Sequence, residues 1–418
     1  MVISNPKILE EFKHKTNKNK LNIAIFSDCY YPLVGGITLR VYNQALELSK
    51  YANVIVVTGK GGKYEDNPNL PFCVIRCKGV KGSEYQGNIA TPKFDFKFKK
   101  LIKSLSIDVI HLHTYFTMAS SAHYFSKKMG IPIIQVSHQR LYPEYLNITK
   151  SRLFAKILTN YSIKIMNKAD ALWTVSQNVL EFYRQSGITR DITIDPSGTD
   201  RKYPTNADNL VKNVCDKYSI KNDENVFIAI SRMEIKQKNL DFLLNSVALA
   251  KEKGLKNFKL FMVGKGSDLE KLKAMATKLN LTEVIFTGFA SDDEATGLYL
   301  RSDVHLFPSI CDNFGLTKSE SASLKTPTLA LCDTAVAESI IDGVNGFISE
   351  RTVESFADKM IESISDRGKL AEISLNAQKT MGQSWEDLAP ITLDNTIKFL
   401  DNYKHNPYMY KTKRSRKS

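Results

Sequence analysis

The sequence contains no run of about 18 apolar residues, so it predicts no membrane-spanning helix. Its six cysteines are scattered, and no secretory signal pattern precedes the first apolar run, which predicts reduced thiols in a cytoplasmic protein. The GxGxxG fingerprint of nicotinamide-binding domains is incomplete, and no DxD metal motif ends a predicted strand. We therefore expect neither a cofactor nor a bound metal.

What is present is an alternation of apolar runs and helical patterns. The 418 residues are too many for one ordinary core, and 43% apolar content suffices for two domains. A first series of predicted strands lies at residues 21–27, 54–58, 72–76, 108–111, 132–136, 171–175 and 192–194. A second series lies at 226–230, 259–263, 284–287, 304–307 and 328–331, with helices near 240–253, 269–279 and 295–301. This alternation predicts two α/β domains with parallel sheets covered on both faces.

We expect the domain boundary in the polar stretch 200–224. The expected segments are a loose start at 1–20, an N-terminal domain at 21–200, a C-terminal domain at 201–382, a last helix at 383–404 and a basic tail at 405–418.

Positive charge is concentrated in the first half of the chain. Residues 1–200 carry 27 Lys or Arg against 15 Asp or Glu, whereas residues 201–418 carry 31 against 29. Five of those 31 lie in the last eight residues. This asymmetry indicates that the N-terminal domain meets an anionic partner, although a solvated basic face gives the same pattern.

Several short patterns suit a phosphorylated ligand, which needs helix N–H groups, glycines for close approach and fixed cations. Gly35 and Gly36 follow the first strand, and Gly264 follows the strand at 259–263 within VGKG. Arg232 and Lys238 follow the strand at 226–230. Each pattern alone also fits an ordinary tight turn or a basic loop.

The segment 307–346 is the most informative because it joins a strand end, a glycine-bearing loop and a helix start. It carries two acidic residues, Asp312 and Glu320, with seven positions between them. Loops after parallel strands are where α/β sheets bind ligands, so we expect a binding site here.

Taken together, the order and spacing of these motifs resemble the family 4 glycosyltransferases, retaining enzymes of the GT-B fold. The matching stretches are DCYYPLVGG at 28–36, DVIHLH at 108–113, VSHQR at 136–140, PSGTD at 196–200, Ser231-Arg232 with Lys238, VGKG at 263–266, TG at 287–288, the segment 307–346 and its final GVNG. The resemblance implies two Rossmann-like domains facing each other across a cleft. It also implies that the last helix crosses back to the acceptor-side N-terminal domain, while the C-terminal domain binds a nucleotide sugar.

The resemblance also implies roles for single residues. Glu320 matches the carboxylate that accepts hydrogen bonds from the ribose hydroxyls, a task that suits its several acceptor sites. Arg232 and Lys238 match the pair that neutralises the leaving diphosphate, and Asp312 matches the contact to the transferred sugar. The other implied donor-binding residues are Gly35, Gly36, Gly264, Phe289, Phe314, Gly315, Leu316 and Thr317.

Among the histidines, His138 in VSHQR matches the residue that reaches the donor sugar near the reacting centre. His113 is a weaker candidate. We expect structural roles for His111, His123 and His305.

The chain departs from the family pattern at Asp312, where the family usually has Glu, and at Lys325, where a glycine usually precedes Thr326-Pro327 or its equivalent. Aspartate is one methylene shorter, so its contact with the sugar must be rebuilt by a loop shift or lost. We expect the first departure to affect donor choice and the second to affect little.

The mechanism implied by the resemblance is front-face displacement with retention, in which the departing diphosphate helps to deprotonate the acceptor hydroxyl. No protein nucleophile is expected, because the protein positions the substrates and stabilises the leaving group. Arg232, Lys238 and helix N–H groups would replace a metal, so activity should survive a chelator.

Two basic segments of the first half are candidates for the acceptor side. Residues 93–104 interleave aromatic residues with Lys97, Lys99, Lys100 and Lys103, and residues 150–168 form a second basic amphipathic pattern. An ordinary helix with its apolar face on the core fits each segment alone. Together with the charge asymmetry, they favour peripheral contact with an anionic membrane, at the inner face of the plasma membrane. SHQRLYPEYL at 137–146 is also loosely similar to bacterial diacylglycerol glucosyltransferases.

The leading hypothesis is therefore a hexosyltransferase that uses a nucleotide diphosphate sugar, with UDP favoured, and a membrane lipid or cell-envelope glycan as acceptor. The alternative is a non-catalytic GT-B subunit that binds a nucleotide sugar or glycan and supports a partner enzyme, for which Asp312 is the main argument. Nucleic-acid binding ranks last because no reading motif is recognised.

Overall fold

The computed structural model describes residues 1–14, 20–33, 35–60, 64–81 and 88–405. The chain forms two compact units: Met1–Ser197 with Trp385–Ser418, and Gly198–Ser384. The second unit thus begins before the stretch in which the sequence places the boundary. Within that stretch, residues Ala207–Tyr218 form a helix that buries Leu210 and Val214, because its apolar residues recur at helical spacing despite its polar composition.

The first unit contains an eight-stranded sheet in the order β1-β4-β3-β2-β7-β8-β9-β10, parallel except for β1. Its strands are β1 (Val2–Ile3), β2 (Asn22–Phe26), β3 (Asn53–Gly59), β4 (Cys73–Cys77), β5 (Gly79–Lys81), β6 (Asn88–Ala90), β7 (Val109–Leu112), β8 (Ile133–Ser137), β9 (Ala171–Thr174) and β10 (Ile192–Ile194). The helices before the second unit are α1 (Pro6–His14), α2 (Gly36–Leu48), α3 (Phe96–Ser104), α4 (Thr117–Met129), α5 (Leu141–Thr149), α6 (Arg152–Met166) and α7 (Gln177–Gln185). Strands β5 and β6 form a separate antiparallel pair.

The second unit contains a six-stranded parallel sheet in the order β13-β12-β11-β14-β15-β16. Its strands are β11 (Asn225–Ile230), β12 (Phe258–Val263), β13 (Val284–Gly288), β14 (Val304–Phe307), β15 (Thr328–Leu331) and β16 (Phe347–Ser349). Its helices are α8 (Ala207–Tyr218), α9 (Ile235–Lys238), α10 (Leu240–Glu252), α11 (Leu269–Lys278), α12 (Asp292–Arg301), α13 (Leu316–Ser323), α14 (Val353–Ser363) and α15 (Arg367–Met381).

The last helix, α16 (Trp385–His405), belongs to the first unit. Its residues Ala389, Phe399 and Leu400 join the same core cluster as Val41 and Ala45 of α2. The predicted return of the final helix to the N-terminal domain is therefore confirmed. Most of the predicted basic tail, residues 406–418, lies outside the described residues.

The inner strands of both sheets are buried on both faces, which explains why they read as continuous apolar runs, whereas the edge strands β10 and β13 are only partly buried. All five residues of β2 are buried, as are all five of β8. In the first unit, one core cluster forms beneath α1, α3 and α4, and another beneath α2 and α16. The predicted class, two Rossmann-like α/β domains, is confirmed.

The start of the chain differs from the loose segment expected over residues 1–20. Strand β1 pairs antiparallel with β4, and Leu9 and Phe12 of α1 are buried in the core. These two apolar residues lie three positions apart, on one face of the helix, and that face covers the sheet edge. Residues 15–19 lie outside the described part of the chain.

Among the described helices, none combines the length and the apolar character that a membrane span requires.

Candidate functional site

In the second unit, the chain runs outward from β11 to β12 and β13, then returns to place β14 on the other side of β11. The carboxyl ends of β11 and β14 therefore flank a switch point, where open α/β sheets bind ligands. Arg232 and Lys238 follow β11, and the segment from Asp312 to Glu320 follows β14. The fold thus brings four predicted site residues to one edge of the sheet.

Lys238 and Asp312 contact each other directly. Lysine Nζ donates to both carboxylate oxygens of Asp312, at 2.8 and 2.9 Å, and both side chains are largely buried. Asn239, the next residue, donates its side-chain amide to the carbonyl of Pro308 at 3.2 Å, which ties the β11 loop to the β14 loop. The pair therefore joins the two loops that flank the switch point.

Arg232 is more exposed than Lys238 and has different partners. Its guanidinium donates to Glu234 Oε1 and to Gln237 Oε1, each at 2.8 Å. These contacts stay within its own loop, so Arg232 is oriented without being tied to the β14 side. A guanidinium held in this way keeps N–H groups for a further anionic ligand.

The loop after β14 ends in the start of helix α13. Gly315 has a φ of 79°, in the left-handed region, and an added Cβ would lie 3.0 Å from Val336 Cγ2. Glycine is therefore required to start this helix. The first turn contains Leu316 and Thr317, and the first N–H groups of a helix have no partner within it. They form a site that favours an anion.

Glu320 lies on α13 with its carboxylate about 30% exposed and faces Arg201, a residue for which the sequence predicted no role. The distance from Arg201 Nε to Glu320 Oε2 is 3.6 Å. Arg201 is itself held by Thr296, whose hydroxyl accepts at 2.5 Å, and by Asp292 at 2.9 Å. Burial raises the pKa of Glu320, and the Arg201 guanidinium opposes that rise.

Tyr299 completes the surroundings of Glu320. Its ring is fully buried, the Arg201 guanidinium lies 5.8 Å from the ring centroid, and its hydroxyl donates to the carbonyl of Thr317 at 3.5 Å. Burial and the Glu320 carboxylate raise the pKa of Tyr299, so the phenol stays neutral. The hydrogen bond of Tyr299 thus joins α12 to the first turn of α13.

Lys318 is a second residue that the sequence did not identify. It is only 2% exposed, its Nζ donates to Ser339 Oγ at 2.6 Å, and it lies 4.8 Å from the ring centroid of Phe314. Burial lowers the pKa of Lys318 to about 8, and the nearby Glu338 carboxylate opposes that change. The Lys318 ammonium therefore packs against the ring of Phe314.

Gly264 and Gly266 serve backbone packing in this structure. An added Cβ on Gly264 would lie 1.9 Å from the carbonyl oxygen of Ser231, and one on Gly266 would lie 2.4 Å from that of Met233. The close approach of the β12 loop to the β11 loop thus accounts for both glycines. Phe289, the predicted residue after β13, is highly exposed.

In the first unit, the order of β3, β2 and β7 creates a second switch point, between β2 and β7. Gly35 and Gly36 lie after β2, and both are exposed at the start of α2. Gly35 has an extended φ of −179°, and an added Cβ would meet no atom within 4 Å. The fold therefore does not require glycine at position 35.

His113 and His138 follow the neighbouring strands β7 and β8. Nδ1 of His113 lies 3.1 Å from Nε2 of His138, with the ring planes 23° apart. Burial and the Arg40 guanidinium lower the pKa of His138 to about 3, and burial lowers that of His113 well below its usual range. Both rings are neutral at physiological pH. His111 and His305 are buried at 1% exposure or less, in agreement with the expected structural roles.

Arg40 reaches the far end of the same sheet. It forms a buried ion pair with Asp195 and donates to the carbonyl of Pro196 at 2.8 Å. The hydroxyl of Thr392, on α16, donates to Asp195 Oδ1 at 2.9 Å. The last helix is thereby tied to the loop after β10.

The two basic segments of the first unit differ in how they use their apolar residues. In α3, Phe98 and Ile102 are buried, and Lys97, Lys100 and Lys103 are exposed, as in an ordinary amphipathic helix. Lys99 lies 5.5 Å from the ring centroid of Tyr124. Phe94, which precedes α3, and Phe96, its first residue, are however 74% and 79% exposed.

Helix α6 exposes large apolar residues along most of its length, although Ile163, Ile165 and Met166 near its end are buried. Before them, its buried side consists of the smaller Ala155, Thr159 and Ser162. Five large side chains of the same helix are 37 to 67% exposed: Leu153, Phe154, Ile157, Leu158 and Tyr161. We call these five residues the apolar row. Lys156 and Lys164, both exposed, lie on the same helix, and residues 150–168 contain no acidic side chain.

Within the described residues, no group of three or more His, Cys, Asp and Glu side chains could hold a metal ion.

Two family models match the chain. One, described as Glycosyltransferase Family 4, matches residues 34–203, and one described as Glycosyl transferases group 1 matches residues 212–380. Together they span about four fifths of the chain.

Curated relatives match most of the chain. The alpha-monoglucosyldiacylglycerol synthase of Acholeplasma laidlawii is 26% identical over 407 residues, which covers 91% of this chain and 100% of the relative. The synthase of the same name from Streptococcus pneumoniae is 25% identical and covers 74% of this chain and 71% of the relative.

Solved structures share the fold at lower identity. Sucrose-phosphate synthase from Thermosynechococcus elongatus has a TM-score of 0.71 at 17% identity, with 91% of this chain and 100% of that chain covered. Anabaena HepE, in complex with UDP and glucose, has a TM-score of 0.69 at 18% identity, with 90% and 100% covered.

Proposed function

Because the chain belongs to the family 4 glycosyltransferases, we propose that it transfers a hexose from a UDP-sugar to a membrane lipid with retention of anomeric configuration. Two relatives are alpha-monoglucosyldiacylglycerol synthases, and a structure of Anabaena HepE contains UDP-glucose. The sugar of UDP-glucose is itself alpha-linked, so an alpha-linked product requires retention. These names support glucose as the first hexose to test.

The second unit supplies the groups that the donor needs. We assign Glu320 to the ribose hydroxyls, because one carboxylate can accept hydrogen bonds from both of them. Arg232, Lys238 and the N–H groups at the start of α13 are assigned to the diphosphate. Asp312 is assigned to the hexose, and it must give up its contact with Lys238 to bind the sugar.

The proposed chemistry requires no protein nucleophile. The bond between the anomeric carbon and the diphosphate oxygen breaks, the acceptor hydroxyl attacks from the same face, and its proton passes to the departing diphosphate. Cations and N–H groups at the switch point stabilise the charge that develops there. We therefore propose transfer that is independent of a divalent metal.

The observation that carries the choice of a lipid acceptor is the apolar row of α6. Large apolar side chains exposed on one face of a basic helix are typical of interfacial helices. Each Lys or Arg near an anionic leaflet adds roughly 1 kcal/mol of attraction. Ile102 of α3 and Ile165 of α6 belong to one core cluster, so the two basic helices cover the same face of the sheet.

The transfer activity is tested with purified protein, UDP-hexoses and vesicles that contain diacylglycerol and phosphatidylglycerol. We expect a new glycolipid with an alpha linkage by NMR, formed equally with and without EDTA. Glu320→Ala should retain its melting temperature and lose about 100-fold or more in kcat/KM, since the ribose hydroxyls lose their acceptor.

Equal inactivity of the wild type and Glu320→Ala across UDP- and GDP-sugars would rule out the enzyme and favour a non-catalytic subunit. A beta-linked product would contradict retention. Loss of activity in EDTA that Mg²⁺ restores would contradict metal independence.

Membrane contact is tested by vesicle co-sedimentation. The triple variant Leu153→Ser, Phe154→Ser, Ile157→Ser should lose binding to anionic vesicles while it keeps its fold and its hydrolysis of the soluble donor. Ile341→Ser with Leu375→Ser is the matched control, because both side chains are more than half exposed and lie outside the two basic segments, and it should bind anionic vesicles as the wild type does. If the row instead covers a second copy of the chain, the triple variant will change the molecular mass in solution and leave vesicle binding unchanged, which overturns the assignment.

A further inference from the structure

The contact between His113 and His138 restricts where the protons of both rings can lie. Only one hydrogen can occupy the 3.1 Å gap between Nδ1 of His113 and Nε2 of His138. Because both rings are neutral, each carries one N–H in total. Two arrangements are possible, which differ in the ring that donates.

Burial distinguishes the two arrangements. His113 is fully buried, and its Nε2 has no hydrogen-bond partner. If His138 donated, the proton of His113 would lie on this Nε2 as a buried N–H without an acceptor, and such groups are rare in folded proteins. If His113 donates from Nδ1, only a lone pair is left unpartnered. The second arrangement is therefore favoured.

We propose that His113 is a positioning residue that fixes His138 as the tautomer with its proton on Nδ1. His113 Nδ1–H donates to His138 Nε2, which holds the ring in place and leaves the Nδ1–H of His138 as its remaining polar group. Because His138 is only partly buried, a ligand can reach its ring. In this tautomer, the ring offers that ligand a hydrogen-bond donor rather than an acceptor. The catalytic consequence of this tautomer rests on the proposed function, because it matters only if His138 contacts the donor sugar.

A neutral donor at this position would bind a sugar hydroxyl oxygen without adding charge. A protonated imidazolium would instead repel Arg40, whose guanidinium already lowers the pKa of His138. The pair thus supplies a fixed N–H dipole, whose orientation depends on a residue that does not itself reach the ligand.

The tautomer can be measured directly by long-range ¹⁵N–¹H correlation spectra of the protein labelled in its seven histidines. We expect the wild-type His138 to show a protonated Nδ1 and an unprotonated Nε2. His113→Asn keeps an N–H donor and should preserve this pattern. His113→Asp places a side chain of nearly the same size as asparagine there, but its carboxylate can only accept a hydrogen bond. This variant should therefore move the proton of His138 to Nε2. His113→Leu, which offers neither group, should give a mixture.

The His305 signal reports whether the second unit is folded. His111 lies two residues from His113 and interacts with it electrostatically, so a wild-type melting temperature serves instead as the check that the first unit is folded. A wild-type His138 protonated on Nε2 overturns the proposal without any variant. So does a His113→Leu protein whose His138 tautomer is unchanged.

Kinetics separate positioning from a purely structural role. His113→Asn should keep kcat within about threefold, whereas His113→Leu should lower kcat about tenfold with little change in the KM for the donor, the loss expected when one directed hydrogen bond is removed. A rise in KM alone would overturn the catalytic consequence. The tautomer measurement needs no activity, so it stands or fails apart from the proposed function.

Discussion

Lys238 and Asp312, which follow different strands of the second sheet, form an ion pair in which one ammonium contacts both carboxylate oxygens, at 2.8 and 2.9 Å. The sequence assigns them opposite tasks, one toward a diphosphate and one toward a sugar. In the structure each satisfies the other, so an anionic ligand must compete with Asp312 for the lysine. The Asp312 carboxylate is therefore a candidate ligand contact and also a competitor of the ligand for Lys238.

The first prediction follows from this competition. Asp312→Asn should bind UDP about three- to tenfold more tightly, because Lys238 loses its anionic partner and turns to the diphosphate. The same change should lower kcat if Asp312 contacts the hexose. Titration calorimetry with UDP, at fixed ionic strength, measures the affinity.

Asp216→Asn is the matched control, because it removes the same charge from the exposed pair of Lys212 and Asp216 on α8. UDP affinity that is unchanged or weaker in Asp312→Asn would show that the ion pair does not compete with the ligand.

The second prediction concerns Arg201 and Glu320. Burial raises the pKa of Glu320 and Arg201 opposes that rise, so Arg201→Gln should raise the pKa further. A group with a raised pKa is protonated at higher pH. As pH is lowered, the KM for the donor should therefore begin to rise at a higher pH in Arg201→Gln than in the wild type.

Glu320→Gln provides the reference for this profile, because it has no carboxylate to titrate and should give a high KM that does not vary with pH. Parallel profiles for the wild type and Arg201→Gln would mean that Arg201 does not control the ionisation of Glu320.

The third prediction uses two glycines that the sequence treated alike. Gly35→Ala should leave the free energy of unfolding within about 0.5 kcal/mol, since its backbone is extended and its Cβ would meet nothing. It should lower kcat/KM about tenfold if a diphosphate approaches this backbone closely.

Gly264→Ala is expected to do the reverse and destabilise the protein by ~2 kcal/mol or more, because its φ is +141° and its Cβ would lie 1.9 Å from Ser231 O. Thermal unfolding and donor kinetics of both variants distinguish a ligand-facing glycine from a packing glycine. Full activity of Gly35→Ala would remove Gly35 from the site.

The sheets and the position of the site could be predicted because both depend on local patterns. Buried parallel strands read as apolar runs, and the motifs after β11 and β14 have a fixed order along the chain. The contact of Arg201 with Glu320 could not be predicted, since it joins α13 to the loop before α8. Its one available signal was a charged residue directly after PSGTD.

Burial was the other quantity that the sequence did not supply. The periodicity of α6 predicted an amphipathic helix, but not that Ala155 and Thr159 would face inward while Phe154 and Ile157 face outward. Likewise, nothing in the pattern of α13 marked Lys318 as buried. Periodicity identifies faces, and only tertiary packing decides which face is covered.

The last prediction concerns the buried ammonium of Lys318. Its folded pKa of about 8 lies below the ordinary value of 10.5, so between these values the unfolded chain binds more protons and stability rises with pH. Below pH 8 the burial of the charge costs roughly 3 kcal/mol, since each pKa unit corresponds to about 1.4 kcal/mol. Lys318→Met keeps the length and removes the charge, at the loss of the hydrogen bond to Ser339. We expect Lys318→Met to be about 1–3 kcal/mol more stable than the wild type at pH 7, and this advantage to shrink toward pH 10.

Urea unfolding at pH 7 and pH 10 measures this difference in the free energy of unfolding. Lys273→Met, which changes an exposed lysine of α11, is the control and should stay within about 0.5 kcal/mol of the wild type. A destabilised Lys318→Met protein at pH 7 would indicate instead that the ammonium, through Ser339 and the ring of Phe314, stabilises the loop at the start of α13 by more than its desolvation costs.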